Sequence, residues 1–207
     1  MKILIGDIGN TLTKICLVDE KSKIIKVYNI ETAKMIKEKN LNNFFKVMLK
    51  MNIKKKILFS SVVPSAYQKI NKFLKIKKYQ VYEIKKLQLK KIIKIRIDKY
   101  NQLGSDRIAN AIGAYSMYKK NCLIIDFGTA TTFDIVRNPG TYEGGVIAPG
   151  IKLSMLNLNR FTAALPTFDL KINSKTYGKN TKDALNAGFL WGYQGLINNI
   201  IKKIKSS

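Results

Sequence analysis

The apolar positions of the first thirty residues predict three strands joined by short turns. Apolar runs alternate with polar residues and are separated by residues that favour turns. The pair Gly9-Asn10 between the first two runs is typical of a hairpin. The predicted strands are Lys2–Asp7, Thr11–Val18 and Lys23–Asn29.

The pattern between residues 31 and 84 changes to helical spacing interrupted by short apolar runs. Leu41, Phe44, Phe45 and Met48 fall on one face of a helix. An antiparallel meander followed by alternating helices and strands fits one half of a ribonuclease-H-like α/β domain. The predicted helices are Glu31–Lys39, Leu41–Met51 and Pro64–Leu74, and the predicted strands are Ile57–Ser60 and Gln80–Ile84.

The second half of the chain repeats the order strand, strand, strand, helix. Residues 85–99 alternate Lys with Leu and Ile, which fits either an edge strand or a connection between domains. We therefore predict two domains, 1–98 and 99–207. After a helix that follows Leu103, the predicted elements are strands Asn121–Asp126, Ala130–Arg137 and Thr141–Ala148, and helices Ile151–Asn159 and Thr181–Lys205.

One short phrase occurs twice, about 120 residues apart. Asp7-Ile-Gly-Asn-Thr follows an apolar run, and Asp126-Phe-Gly-Thr-Ala follows another. An Asp at the end of a strand supplies oxygen to a hard cation, and Gly and Thr in a turn offer N–H and hydroxyl groups to phosphate. An internal repeat indicates two related halves. Two such turns facing each other across a cleft would hold a nucleotide triphosphate.

The composition restricts the possible chemistry. The 207 residues include no histidine, which excludes Ser-His-Asp triads, Cys-His dyads and His-ligated metals. Any general base must come from Asp, Glu, Lys, Tyr or Cys, and only 13 residues are Asp or Glu. The two cysteines, Cys16 and Cys122, have no metal-binding spacing, so we expect reduced thiols.

The net charge of +25 favours anionic partners, either nucleic acid or a small anionic substrate. The lysines are spread over nearly the whole chain, which fits a solvated basic surface without a dedicated nucleic-acid partner. The first apolar run is too short for a signal peptide or a transmembrane helix. We therefore expect a cytoplasmic protein with no membrane partner.

Four motifs together resemble type III pantothenate kinase, a family of the acetate-kinase/sugar-kinase/actin superfamily. The resemblance implies an actin-like ATPase fold in which two ribonuclease-H-like domains flank a nucleotide cleft. It also implies ATP-dependent phosphorylation of pantothenate, the first step toward coenzyme A, by a homodimer. The motifs are Asp7-Ile-Gly-Asn-Thr-Leu-Thr-Lys14, Gly104-Ser-Asp-Arg107, Asp126-Phe-Gly-Thr-Ala-Thr-Thr132 and Gly144-Gly-Val-Ile-Ala-Pro-Gly150.

The resemblance also implies which residues bind ATP and its cations. Asp7 would hold Mg²⁺, partly through water, and Asp126 would help to ligate a monovalent cation, K⁺ or NH₄⁺. Glycines of the fourth motif would lie near the adenosine. The implied ATP-binding residues are Asp7, Ile8, Gly9, Asn10, Thr11, Leu12, Thr13, Lys14 and Thr129.

The resemblance also implies a set of residues that bind the acceptor or act on it. Asp106 would be the general base that takes the proton from the substrate hydroxyl, and it lies at the start of a predicted helix, which favours its ionised form. Arg107 would anchor the acceptor or the phosphoryl charge. The implied substrate-binding residues are Tyr100, Gly104, Ser105, Asp106, Arg107 and Thr181.

Two other readings remain open at this stage. Another small-molecule kinase or phosphatase of the same superfamily would share both phosphate loops and differ at the acceptor site. A basic, regulatory nucleic-acid-binding protein would use the positive charge but would leave the motif carboxylates unexplained. Gly145 and Gly150 do not form a Walker phosphate loop, because no Lys directly follows the second glycine.

Overall fold

The computed structural model describes residues 2–35, 37–172 and 176–206 of the chain. These residues form two compact units. One contains the chain up to residue 124 together with 134–144, and the other contains 125–133 together with the chain from 145 onward. The units do not coincide with the predicted domains 1–98 and 99–207. That division follows the sequence repeat, and it stays a prediction.

The first sheet has five strands in the order β3-β2-β1-β4-β5. Strand β2 pairs antiparallel with both β1 and β3, whereas β4 lies parallel to β1 and to β5. This arrangement confirms the predicted meander followed by alternating helices and strands. The strands are β1 (Lys2–Ile8), β2 (Leu12–Val18), β3 (Ile24–Glu31), β4 (Ile53–Ser61) and β5 (Gln80–Glu83).

Three helices cover the core face of this sheet: α1 (Thr32–Met35), α2 (Glu38–Leu49) and α3 (Pro64–Ile76). The predicted apolar face of α2 is confirmed, because Leu41, Phe45 and Met48 are buried and Phe44 packs beside them. The predicted helix Glu31–Lys39 is wrong in extent. Its described part is helical over Thr32–Met35, α2 begins at Glu38, and Ile36 lies outside the described residues.

The Lys-rich segment 85–99 folds mainly as turns. It contributes to 3₁₀ turns at Ile84–Lys86 and Leu89–Lys91 and to a two-residue strand, β6 (Lys94–Ile95). Ile84, Leu89 and Ile93 enter a second apolar core together with Ile108 of helix α4 (Ser105–Tyr118). Strand β6 pairs in parallel with β9 (Thr141–Pro149), so the prediction of an edge strand holds for two residues.

The second sheet has the order β6-β9-β8-β7. Strands β7 (Cys122–Phe127) and β8 (Ala130–Arg137), like β9, contain residues of both compact units. Helices α5 (Ile151–Arg160) and α6 (Thr181–Lys205) follow, as predicted. The α/β class with two mixed sheets is therefore confirmed. None of the helices in the described residues has the length and apolarity to cross a membrane.

Within the second unit, α6 holds residues 162–172, which follow α5 without regular secondary structure. The Asn186 side chain is buried, accepts a hydrogen bond from the Lys171 backbone N–H at 2.7 Å and donates one to the Lys171 carbonyl at 2.8 Å. The rings of Phe168 and Phe189 pack with their centroids 5.6 Å apart. A two-way amide contact and an aromatic pair thus fix this segment without regular secondary structure.

Gly6 provides the space that Phe59 occupies in the first core. A Cβ built on Gly6 would overlap the Phe59 ring and would lie 2.9 Å from the Ile15 Cδ1 atom. Phe59 and Ile15 are completely buried, so neither can move into solvent. Strand β1 therefore needs a residue without a side chain at this position.

We expect Gly6→Ala to destabilise the protein by about 1–3 kcal/mol, because the added methyl group overpacks a closed core. Gly113→Ala is the matched control, since Gly113 lies in α4 with open space around it. The control should be neutral or stabilising by up to about 1 kcal/mol, because alanine favours the helix. Urea unfolding followed by circular dichroism measures both changes. Equal stabilities for the two variants would contradict the packing argument.

Candidate active site

A tight hairpin at the end of β1 forms the first predicted phosphate loop. The Gly9 N–H donates a hydrogen bond to the Leu12 carbonyl at 3.1 Å and closes the turn. The predicted Gly9-Asn10 hairpin is therefore confirmed. Asn10 and Thr11 at the tip are exposed, and Gly9 is half-buried.

Thr32, at the start of α1, fixes the shape of this loop from below. Its hydroxyl donates to the Gly9 carbonyl at 2.6 Å, and its backbone N–H donates to the Thr11 carbonyl at 3.0 Å. The hydroxyls of Thr13 and Thr32 lie 3.0 Å apart, and both residues are buried. Because a trans peptide points its N–H opposite to its C=O, the Asn10 N–H faces away from Thr32.

The side chains implied for ATP binding divide into two groups. Ile8 and Thr13 are completely buried beneath the loop and support it. Asn10, Thr11 and Lys14 are exposed, while Gly9 and Leu12 are half-buried. The exposed group can contact a ligand directly, whereas the buried group can act only through the loop's shape.

Asp7 lies in a polar row that crosses the first sheet. Ser60 of β4 and Lys14 of β2 are its direct neighbours, and Asn29 of β3 lies beyond Lys14. Asp7 is half-buried, and the buried Ser60 hydroxyl has no hydrogen-bond partner among the residues that the structure describes. Burial raises the pKa of the nearby Cys16 thiol, Lys14 lowers that pKa and Asp7 raises it. The row therefore carries one carboxylate, one ammonium and an unsatisfied hydroxyl.

The start of α4 presents the Asp106 carboxylate. Gly104 is the N-cap residue, and the Asp106 Oδ1 atom accepts a hydrogen bond from the Arg107 N–H at 2.8 Å. A Cβ on Gly104 would overlap that carboxylate oxygen. The glycine of the Gly-x-Asp-Arg motif leaves the space that the Asp106 carboxylate occupies, and a side chain there would displace that carboxylate.

Arg107 is held by a buried carboxylate, Asp134 of β8. The Arg107 Nε atom donates to Asp134 Oδ1 at 2.7 Å, and the Tyr142 hydroxyl donates to the same oxygen at 2.7 Å. Arg107 Nη2 also lies 2.7 Å from this oxygen, but its N–H groups are not aligned with it, so this contact is electrostatic. Burial, followed by the hydrogen bond to Asp134, raises the pKa of Tyr142 well above its ordinary value.

Two further contacts attach the start of α4 to the end of β5. The buried Ser105 hydroxyl donates to the Glu83 carboxylate at 2.5 Å. Lys85 donates to backbone carbonyls in the turn before α4, and the Tyr100 hydroxyl donates to the Lys85 carbonyl at 3.0 Å. Tyr100, which the resemblance assigns to the acceptor site, keeps 40% of its surface exposed.

The first loop and the Asp106 motif meet at the ends of β1 and β4, within one compact unit. The Val62 N–H donates to the Ile8 carbonyl at 3.0 Å, which continues the β1–β4 pairing to the edge of the loop. A Cβ on Gly104 would lie 3.5 Å from a methyl group of the same Val62. Val62 therefore lies next to both predicted motifs.

The second predicted phosphate loop belongs to the other unit. Gly128 donates to the Ala130 carbonyl at 3.0 Å, Asp126 is half-buried and Thr129 is exposed. Gly150, directly before α5, donates to the Thr129 carbonyl at 3.2 Å, and a Cβ there would overlap that carbonyl oxygen. The fourth motif thus packs its last glycine against this turn.

Thr181 is the first residue of α6 and lines an apolar groove between α5 and α6. The N-cap is Asn180, whose side chain accepts from the Asp183 N–H at 2.9 Å, so Thr181 is not the cap. The groove has a volume of about 510 Å³. Its other lining residues are Ser154, Leu158, Leu165, Ala184, Leu185, Gly188, Phe189, Gly192, Tyr193 and Leu196.

Four residues that contact predicted site residues or their immediate neighbours were not identified as site residues from the sequence. Glu83 and Asp134 could have been noticed, because each is an acidic residue in or at the end of an apolar strand, where a carboxylate needs a partner. Thr32 and Lys85 carry no such signal, because their roles depend on carbonyl groups that only the fold brings near them.

A Gly-Asn hairpin at the end of a strand, a carboxylate at a helix start in the same compact unit and an α/β scaffold are the arrangement expected of a phosphotransferase. Comparison with known proteins makes the assignment specific. A family model described as type III pantothenate kinase matches residues 3–203, so this chain belongs to that family. It functions in the phosphorylation of pantothenate, which leads to coenzyme A.

Individual relatives agree with the family model. A type III pantothenate kinase of Pelagibacter ubique is 48% identical over 98% of this chain and 81% of its own length. One of Desulfosudis oleivorans is 34% identical over the same shares. Among solved structures, the activator of a 2-hydroxyisocaproyl-CoA dehydratase from Clostridium difficile has a TM-score of 0.47 and 13% identity, covering 96% of this chain and 67% of that chain. A likeness of that degree does not by itself define the fold.

We expect Asp134→Ala to lower the free energy of unfolding by about 3–5 kcal/mol, because it leaves the Arg107 charge enclosed without its carboxylate. Glu143→Ala is the control, since Glu143 pairs at 3.5 Å with an Arg96 side chain that is 65% exposed. Such a pair contributes about 0–1 kcal/mol. Urea unfolding of both variants measures the difference, and a loss of less than 1 kcal/mol for Asp134→Ala would contradict the argument.

Proposed function

We propose that Asp106 is the general base that accepts the proton of the pantothenate hydroxyl as phosphate is transferred from ATP. The observation that carries this proposal is the place of Asp106. Its carboxylate lies at the N-terminus of α4, and Gly104 beside it lies next to Val62, which continues the β1–β4 pairing at the edge of the first loop. Phosphoryl transfer depends mainly on positioning, so a carboxylate suffices where histidine is missing.

The first loop would hold the ATP phosphates. The Asn10 N–H faces away from Thr32, and the exposed Asn10, Thr11 and Lys14 side chains offer polar or positive groups to phosphate oxygens. Asp7 and the unsatisfied Ser60 hydroxyl beside it fit a Mg²⁺ ion and its water ligands, because magnesium prefers oxygen donors and keeps several waters. The ion would neutralise phosphate charge.

The second loop would provide the monovalent cation site. Asp126 is a half-buried carboxylate two residues before the turn that Gly150 supports, and Thr129 is exposed for a phosphate contact. Potassium or ammonium at Asp126 would add positive charge beside a phosphate that contacts this turn. This assignment rests on the family resemblance and on the exposure of the turn.

The acceptor would contact residues around the start of α4. Tyr100 is partly exposed, and Arg107 is oriented by Asp134, so its guanidinium is held in one position before a substrate arrives. Thr181 lies in a different compact unit, at the edge of the α5–α6 groove. Its role in binding pantothenate is a proposal from the family resemblance.

We also propose that the chain forms a homodimer through the face of α5 and α6. The groove between these helices has an almost entirely apolar lining, and Leu156, Phe161 and Trp191 expose 54%, 77% and 41% of their surfaces in the same unit. Large exposed apolar patches usually mark interaction surfaces. A second copy of the chain would cover them.

Asp106→Asn should lower kcat by about 10²- to 10⁴-fold, because the amide cannot accept the proton. ADP release that depends on pantothenate measures kcat, and nucleotide affinity should stay close to that of the parent protein. Asp98→Asn is the matched control, since Asp98 is exposed in the preceding segment. Unchanged activity in Asp106→Asn would remove Asp106 from the mechanism.

The same assay distinguishes the rival functions. ADP release with another hydroxyl acceptor, and none with pantothenate, would indicate a different kinase of the superfamily. Salt-sensitive binding of DNA or RNA without ADP release would support the nucleic-acid reading. Both outcomes would contradict the proposal.

Leu156→Glu should convert the dimer to a monomer, because it places a charge in the proposed apolar interface. Val47→Glu is the control, as Val47 is 56% exposed on α2, far along the chain from the proposed face. Sedimentation equilibrium measures the mass of each variant. A parent protein that sediments as a monomer, or a Leu156→Glu variant that remains dimeric, would contradict this interface.

A further inference from the structure

Four hydrogen bonds attach the segment Glu83–Lys85 to the residues that lead into Asp106. The Ser105 hydroxyl donates to Glu83 at 2.5 Å. The Lys85 ammonium donates to the Asn101 and Leu103 carbonyls, each at 2.7 Å, and the Tyr100 hydroxyl donates to the Lys85 carbonyl at 3.0 Å. The partners of Glu83 and Lys85 in these bonds all lie within six residues of Asp106. We call these four bonds the 83–85 clamp.

The clamp consists of polar contacts, although apolar residues could pack the same space. Glu83 is only 8% exposed and Ser105 only 3% exposed, in a region where Ile84 and Leu103 supply apolar contacts. Burying a carboxylate is costly, and a buried polar pair often stabilises less than apolar residues of the same volume. Hydrogen bonds, in contrast to apolar contacts, define distance and direction. The clamp therefore specifies position more than it adds stability.

The charge of Glu83 reaches the acceptor side of the site. It raises the pKa of Tyr100 and of Tyr67, in each case as the second cause after burial. The Lys85 ammonium lies 5.7 Å from the centre of the Tyr100 ring. Glu83 and Lys85 therefore carry opposite charges on one turn, and each contacts residues that precede Asp106.

The other end of the clamp is connected to the first loop through the sheet. Glu83 pairs with Phe59 of β4, Gly6 of β1 pairs with the same Phe59, and Asp7 follows Gly6 directly. Adjacent strands and the clamp therefore connect the first loop to the residues before Asp106, and together they fix the position of Asp106 relative to that loop. A displacement of about 1 Å in such an arrangement can cost about 10²-fold in rate.

We propose that Glu83 and Lys85 are positioning residues that set the Asp106 carboxylate relative to the first phosphate loop. They act through the Asn101–Ser105 backbone and the Ser105 hydroxyl, and they do not touch the substrate. This inference rests on the proposed role of Asp106. It deepens that role by assigning to two residues outside the four motifs the geometry on which the base depends.

The test replaces Lys85 by Met, which keeps the length of the side chain and removes its N–H donors. We expect kcat to fall about 10- to 100-fold, while the KM values for ATP and pantothenate change less than threefold. Lys86→Met is the matched control, because it removes the same charge from an exposed neighbour, and its kcat should equal that of the parent. Lys85→Arg, which restores donors, should recover most of the lost rate.

A second variant, Glu83→Gln, tests the other half of the clamp. It removes the charge and keeps an oxygen that can accept from Ser105, so kcat should fall less than in Lys85→Met. The pair of variants should also be non-additive, since both act on one short segment. Additive effects would contradict a shared clamp.

Three outcomes would overturn the proposal. The first is a kcat for Lys85→Met equal to that of Lys86→Met. The second is a raised KM for pantothenate with unchanged kcat, which would make Lys85 a substrate contact. The third is a loss of active protein, measured by unfolding temperature, with normal turnover per folded molecule, which would make the clamp purely structural.

A hydrogen-exchange measurement separates this proposal from the proposed function. In Lys85→Met, the peptide covering residues 100–108 should exchange faster than in the parent and in Lys86→Met, while β1 stays unchanged. If the parent protein released no ADP with pantothenate, the proposed function would fail, and this exchange pattern would still decide whether the clamp holds the residues around Asp106.

Discussion

The position of Asp106 depends on two buried carboxylates that lie outside its own motif. Its neighbours on both sides are bound: Ser105 to Glu83 and Arg107 to Asp134. The first partner comes from the end of β5 and the second from β8, so two different strands hold one turn of helix. Each carboxylate would be unfavourable alone, and each becomes acceptable because the first turn of α4 supplies its hydrogen-bond donor.

This arrangement fixes the backbone on both sides of the half-buried Asp106. Buried ion pairs contribute little net stability compared with apolar packing, but they restrict geometry. The Tyr142 hydroxyl also donates to Asp134, so the Arg107 partner cannot rotate freely. Val62 donates a hydrogen bond to the end of β1 and lies next to Gly104, so the start of α4 lies beside the strand that leads into the first loop.

The elements defined by local pattern were predictable, and the contacts between them were not. The Gly9-Asn10 turn, the strand Ala130–Arg137 and the helix Thr181–Lys205 follow from short-range signals, and the structure has them as predicted. For the segment 85–99 the Lys–Ile alternation left an edge strand or a connection open, and it forms a strand only over Lys94–Ile95 because Leu89 and Ile93 enter a core from an irregular path. Thr32 and Lys85 were missed because backbone carbonyls from distant residues define their roles.

Gly104 influences the site through the space that its missing side chain leaves. The Asp106 carboxylate fills the volume in which any larger residue would place its first carbon. A larger residue at position 104 would push that carboxylate aside, so the placement of Asp106 depends on the volume that its neighbour leaves empty.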